Sequence, residues 1–206
     1  MLGHAGIDPL DIIYHEYTHA IMDINLASIP VWFGEGLAEC YSTFRSGDED
    51  HAEIGRPVPH HVATLRSRPA LPLDQLFSVS HGSSDYNEKD RSGVFYAESW
   101  ALVHYLLWGN KDRRGQLGEF LTALADGQAP ESAFASAFRT DFAGLWGEID
   151  TYVEGDRFPF IVVTYKDLAF DRTTAPSPAA RDEVLCRLGD LLRALGEERG
   201  ADARRH

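Results

Sequence analysis

Apolar residues along this chain recur mostly at helical spacing, and the polar interruptions between them are short. Ile12, Ile13, Ala20, Ile21 and Ile24 are the apolar positions of a first helix over about 10–25, expected to be buried. A turn with Asn25, Ser28 and Pro30 follows, and Pro30 suits the start of a second helix over 31–44, whose missing N–H costs nothing in the first turn. Trp32, Phe33, Leu37 and Tyr41 argue that this helix is buried. Residues 1–9 read as an irregular lead-in, 46–50 as a charged loop, and 52–58 as a short strand or hairpin arm. His60 and His61 open an amphipathic run to Arg66 and are expected at a helix start on the surface. A one-turn helix is expected over 71–77, then a polar Gly/Ser/Asp-rich loop over 78–93 as a rim or lid.

The strongest later helix covers 94–108, with Ala97, Trp100, Val103 and Leu107 facing a core and His104 packed inside it. Tyr96 stands at its first turn beside the polar loop, where the residues alone leave two roles open: an amphipathic Tyr at a helix end, or a hydroxyl reaching a cleft. Further helices are expected over 116–125, 130–138 and, capped by Asp141, to about 153, with an apolar, β-branched strand over 158–166. A Pro/Ser/Thr-rich stretch near 173–180 is the best boundary, and it separates a core of 1–172 from an amphipathic helix in 181–206.

Composition narrows the class. With 206 residues, 44% hydrophobic and 25% charged, the chain has enough apolar material for one sizeable core. A net charge of −13 disfavours nucleic acid and anionic membranes as partners. Cys40 and Cys186 lie far apart without metal spacing, and neither a membrane-spanning run nor a signal-peptide pattern is visible.

The chemistry concentrates in the first two helices. His15-Glu16-Tyr17-Thr18-His19 is an H-E-x-x-H box. At about 100° per residue, its two histidines fall about 40° apart, one turn above the other, and can share one ion. Two imidazoles and a carboxylate inside an apolar pattern are costly without a partner, and a zinc ion is such a partner. Catalytic zinc takes three protein ligands and leaves a fourth position open. Glu35 and Glu39, four residues apart on the second helix, share a face. Glu35 is read as the third ligand, and Glu39 as the acceptor that fixes the tautomer of a ligating histidine. Gly34 and Gly36 are expected to let the two helices approach closely at the metal.

Residues 15–39 resemble the active-site core of the gluzincin zinc metallopeptidases. They are more closely similar to bacterial peptidase-MA-like proteins, which carry P-x-W-F-x-E-G-L-A-E followed by Tyr-Ser-Thr-Phe. Gly34 stands where Asn is common, and the spacer to Glu35 is slightly shorter than in the aminopeptidases of the clan; neither change removes a ligand. The resemblance implies one Zn2+ ion on His15, His19 and Glu35, with Glu16 as general base. It also implies an oxyanion-stabilising role for Tyr96, which opens Tyr96-Ala-Glu-Ser99 sixty-one residues after Glu35. The implied fold is mainly α, the helical part of a metallopeptidase catalytic domain with a C-terminal appended helix. Only fourteen residues precede His15, too few for the β-sheet that walls such sites, so that sheet is expected to be largely missing. Leu185, Leu188-Gly189, Leu192 and Ala201 resemble a partial tetratricopeptide repeat, a candidate contact for a protein partner.

The expected function is zinc-dependent hydrolysis of peptide or protein substrates through a zinc-activated water, with Glu16 as base. The alternative is a metal-stabilised, non-catalytic binding or scaffold module of a longer repeat-containing protein. A weaker third option is hydrolysis of a non-peptide amide.

Overall fold

Asp8 opens the first helix, α1 (Pro9–Asn25), by accepting a hydrogen bond from the Leu10 N–H, with Pro9 in the first turn. After Pro30 comes α2 (Val31–Ser42), then β1 (Arg45–Ser46), β2 (His51–Ile54), α3 (Pro59–Ser67), α4 (Leu73–Ser78), the single turn α5 (Ser84–Asn87) and α6 (Lys89–His104). A π-helical turn, Tyr105–Gly109, extends α6. Asn110 caps α7 (Lys111–Ala125) through its side chain, Pro130 starts α8 (Pro130–Phe138), and Asp141 caps α9 (Phe142–Glu154) before β3 (Ile161–Thr164). This computed structural model describes residues 8–26, 29–46, 50–87, 89–165 and 180, and among them the fold is mainly helical. The chain divides into two units, 1–166 and 167–206. The expected linker at 173–180 (apart from Ala180) and the repeat-like helix at 181–206 lie outside the described residues. Among the described residues, no helix is long and apolar enough to cross a membrane.

The core is built on α2 against α6. Trp32, Phe33 and Cys40 of α2 are buried, as are Phe95, Trp100, Leu102 and Val103 of α6. Gly36 makes the close approach possible: a Cβ there would overlap the Ser99 carbonyl oxygen and lie 2.6 Å from Val103 Cγ2. The expected partner for that approach was α1, so this is a correction. Gly34 does face Met22 of α1, but at an ordinary 3.9 Å. An aromatic layer seals the far side: Phe77 stacks on Trp32 at 4.6 Å, and Phe134 lies 4.3 Å from Phe142. The small antiparallel sheet runs β1-β2-β3, with Arg45 opposite Glu53 and Ala52 opposite Val163.

Two further expectations fail. The isoleucines of α1 are not buried: Ile13 is 56% and Ile24 83% exposed, and Met22 is its one buried residue. The stripe turned inward is instead Asp11, Tyr14, His15, Thr18, His19 and Met22, at the same helical spacing. One apolar stripe was legible on this helix, and packing on α2 selects the other stripe, which carries the histidines. Nor is 78–93 a continuous loop, because it holds α5 and the first turn of α6. Propensity differences among ordinary residues are below about 1 kcal/mol, so a polar stretch can extend a strongly apolar helix. Tyr96 consequently sits inside α6, not in its first turn.

Candidate metal centre

α1 and α2 pack so that three ligand atoms converge. His15 Nε2 and His19 Nε2 are 3.1 Å apart, and each lies 3.3 Å from Glu35 Oε2. Three donors bound tetrahedrally at about 2.0–2.1 Å would be separated by about 3.3–3.4 Å, so the spacing is that of ligands around one small cation. The three residues form the one such group among those described. Glu35 Oε2 is buried and has no hydrogen bond of acceptable geometry. A buried acceptor without a donor is costly, and a cation between it and the two rings would remove that cost.

The carboxylate is held from its other side. Tyr86, in α5, donates its hydroxyl to Glu35 Oε1 at 3.0 Å, leaving Oε2 aimed at the histidines. Burial alone would raise the Glu35 pKa, but the facing His15 and His19 rings, with the His19 charge and the Tyr86 hydroxyl, outweigh it and hold the group down to about 2. The facing Glu35 carboxylate in turn raises the His19 pKa against the opposing effect of burial. Glu35 is therefore anionic throughout the neutral range, as a ligand must be.

Glu39, one turn beyond Glu35, lies behind His15. Its Oε1 is 3.4 Å from His15 Nδ1, and its Oε2 is 2.9 Å from His61 Nε2. His15 thus turns one nitrogen to the triad and the other to a carboxylate. His61 was expected on the surface and is instead 4% exposed, with its ring near Trp100 and against His60. The amphipathic run to Arg66 was legible, but at its first turn the adjacent His60 and His61 left open which of the two faces the core. Tyr86 was missed because it belongs to a segment read as loop.

Tyr96 lies beside the triad, its ring 6.4 Å from that of His15 and 6.2 Å from that of Tyr86. Its ring thus flanks Tyr86, whose hydroxyl donates to Glu35. Burial first, then the nearby Glu35 charge, push the Tyr96 pKa far above its ordinary value, so its hydroxyl stays a donor. Glu16 is exposed and lines a cavity of about 800 Å³ together with His15, Glu39, His61 and Tyr96. Arg45 and Arg56 reach the same cavity, each paired with an acid: Arg45 with Asp11 at 2.7 Å, and Arg56 with Glu53.

His104 is fully buried, with Nε2 2.8 Å from the Gly55 carbonyl and Nδ1 2.8 Å from the Tyr152 hydroxyl. Burial lowers its pKa to about 4, so it is a neutral packing residue and no ligand. Comparison with family models, with curated proteins and with solved structures found no match for this chain.

Proposed function

We propose that this chain hydrolyses peptide bonds as a zinc-dependent metallopeptidase of the gluzincin type. One observation carries the reading: a buried, unpaired carboxylate oxygen faces two imidazole nitrogens at 3.3 Å, beside an open cavity of about 800 Å³. His15, His19 and Glu35 would hold the ion. When bound, zinc supplies Lewis acidity toward a carbonyl oxygen and toward water.

The other groups have tasks that follow from their placement. Glu16, in the cavity wall next to His15 in the chain, accepts a proton from the attacking water and returns it to the leaving amine. Tyr96 offers its hydroxyl to the substrate carbonyl as negative charge develops there, a contribution of about 3 kcal/mol for one such donor. Tyr86 keeps Glu35 Oε1 occupied, so that one oxygen remains for the ion. The substrate class is a peptide or protein segment laid in the cavity.

Elemental analysis of wild type beside His19→Ala, with turnover of a peptide library by wild type and Glu16→Gln, tests this. Wild type should carry one zinc and cleave. Glu16→Gln should carry the zinc and not cleave, and His19→Ala should lose both. A zinc-loaded wild type that is no faster than Glu16→Gln on any peptide would leave a metal-stabilised binding module in place of an enzyme.

A further inference from the structure

The polar contacts behind His15 do not stop at Glu39. Glu39 uses both oxygens: Oε1 faces His15 Nδ1 at 3.4 Å, and Oε2 meets His61 Nε2 at 2.9 Å. Glu39 is only partly buried, with 16% of its side chain exposed at the cavity wall, so the carboxylate needs something to hold its rotamer. His61 can do this because it cannot move easily itself. It is 4% exposed, its ring is packed 4.3 Å from that of His60 and 5.9 Å from that of Trp100, and its N–H is tied to the Val58 carbonyl at the start of α3.

We propose that His61 is a positioning residue for the metal centre: by donating from Nε2 to Glu39 it fixes that carboxylate against His15 Nδ1. It thereby selects the His15 tautomer whose Nε2 lone pair faces His19 and Glu35. The proton inventory is consistent. With the His15 proton on Nδ1, Nε2 is an acceptor, and the 3.1 Å contact with His19 Nε2 is made by a proton on His19. Without His61, Glu39 can turn to solvent in the cavity. The His15 ring then loses its reason to prefer one tautomer, and the fraction carrying a free Nε2 lone pair falls.

This inference rests on the metal-centre reading above, and two readouts separate them. The first is zinc affinity, measured by competition with a chromophoric chelator, for wild type, His61→Phe and His61→Gln. Phenylalanine keeps the ring against Trp100 but has no donor, whereas the glutamine amide restores a donor near the place of Nε2. His61→Phe should bind zinc ten- to a hundredfold more weakly, and His61→Gln within about threefold of wild type. The second readout needs no ion: long-range proton–nitrogen correlation spectra of the imidazoles in metal-stripped protein, with His15 assigned by its loss in His15→Gln. Wild type should show His15 protonated on Nδ1, and His61→Phe a mixture. Wild-type-like affinity and His15 signals in a folded His61→Phe, or a His61→Gln as impaired as His61→Phe, would overturn the proposal. A wild type that takes up no zinc defeats the metal centre, and the tautomer spectra still decide whether His61 sets His15.

Discussion

Replacing Gly36 by alanine tests whether the site depends on how closely α2 approaches α6. An added Cβ would overlap the Ser99 carbonyl oxygen and lie 2.7 Å from the Ser99 carbonyl carbon and 2.6 Å from Val103 Cγ2. Ordinary contacts of this kind are about 3.5–4.0 Å, so the helices must part by about 1 Å. Two of the three atoms are backbone and cannot rotate away, which places the cost near the upper end of the usual 1–3 kcal/mol for overpacking. Alanine returns about 1 kcal/mol of helix propensity, leaving a net loss of about 2 kcal/mol. For a chain of this size that is about 4–8 °C in Tm. Gly118→Ala in α7 is the control, because a Cβ there meets nothing within 4 Å. The same chemical change should stabilise it by up to about 1 kcal/mol. Urea unfolding of both variants, compared at a common slope, reads the difference directly. Since Glu35 adjoins Gly36, the displaced helix should also bind zinc more weakly. A Gly36→Ala midpoint at or above that of wild type would refute the close-packing argument.

Other consequences can be measured separately. Stripping the metal should lower Tm, by about 2.7 kcal/mol of lost stability if zinc was present at a hundred times its Kd, and His19→Ala should show no further drop on adding chelator. Tyr86→Phe leaves Glu35 Oε1 without its donor and should weaken zinc binding about tenfold by the same competition assay, with the fold retained. Tyr96→Phe should lower kcat about a hundredfold while zinc content is unchanged, since only the developing charge loses a donor. Glu98 is fully buried, and burial pushes its carboxyl up to about 8 from an ordinary value near 4.5, against the lowering effect of the Leu71 N–H. The folded state therefore holds a proton that the unfolded chain releases: this contribution is fully present below pH 4.5 and is lost as pH rises through 8. Stability measured by urea should decline across that window in wild type, and Glu98→Gln should flatten the decline.

Several helix starts were legible because they carry their own punctuation, Pro30 and Pro130 at starts and Asp141 as a side-chain cap, whereas α6 has none and begins at Lys89, ahead of the expected 94. The spacing of His15 and His19 was legible for the same local reason, since a helix turn fixes their relation whatever surrounds it. What packs on what was less legible. The isoleucines of α1 and its His-bearing stripe have the same period, and only the tertiary partner decides which turns inward. Gly36 announced a close approach without saying to which neighbour. His61 and Tyr86 reach Glu39 and Glu35 across separations of 22 and 51 residues, and no local pattern encodes such a pairing.

The candidate ligands are divided between helices: two come from α1, whose outward isoleucines touch little, and one from α2, which is anchored in the core. An ion at their meeting point would act as a rivet, fastening a loosely seated helix to a rigid one. Loss of the cation should then be felt first as faster amide exchange along Pro9–Asn25, with the interior of α6 still protected. Metal supply would in that way decide whether His15 and Glu16 are held against the cavity at all.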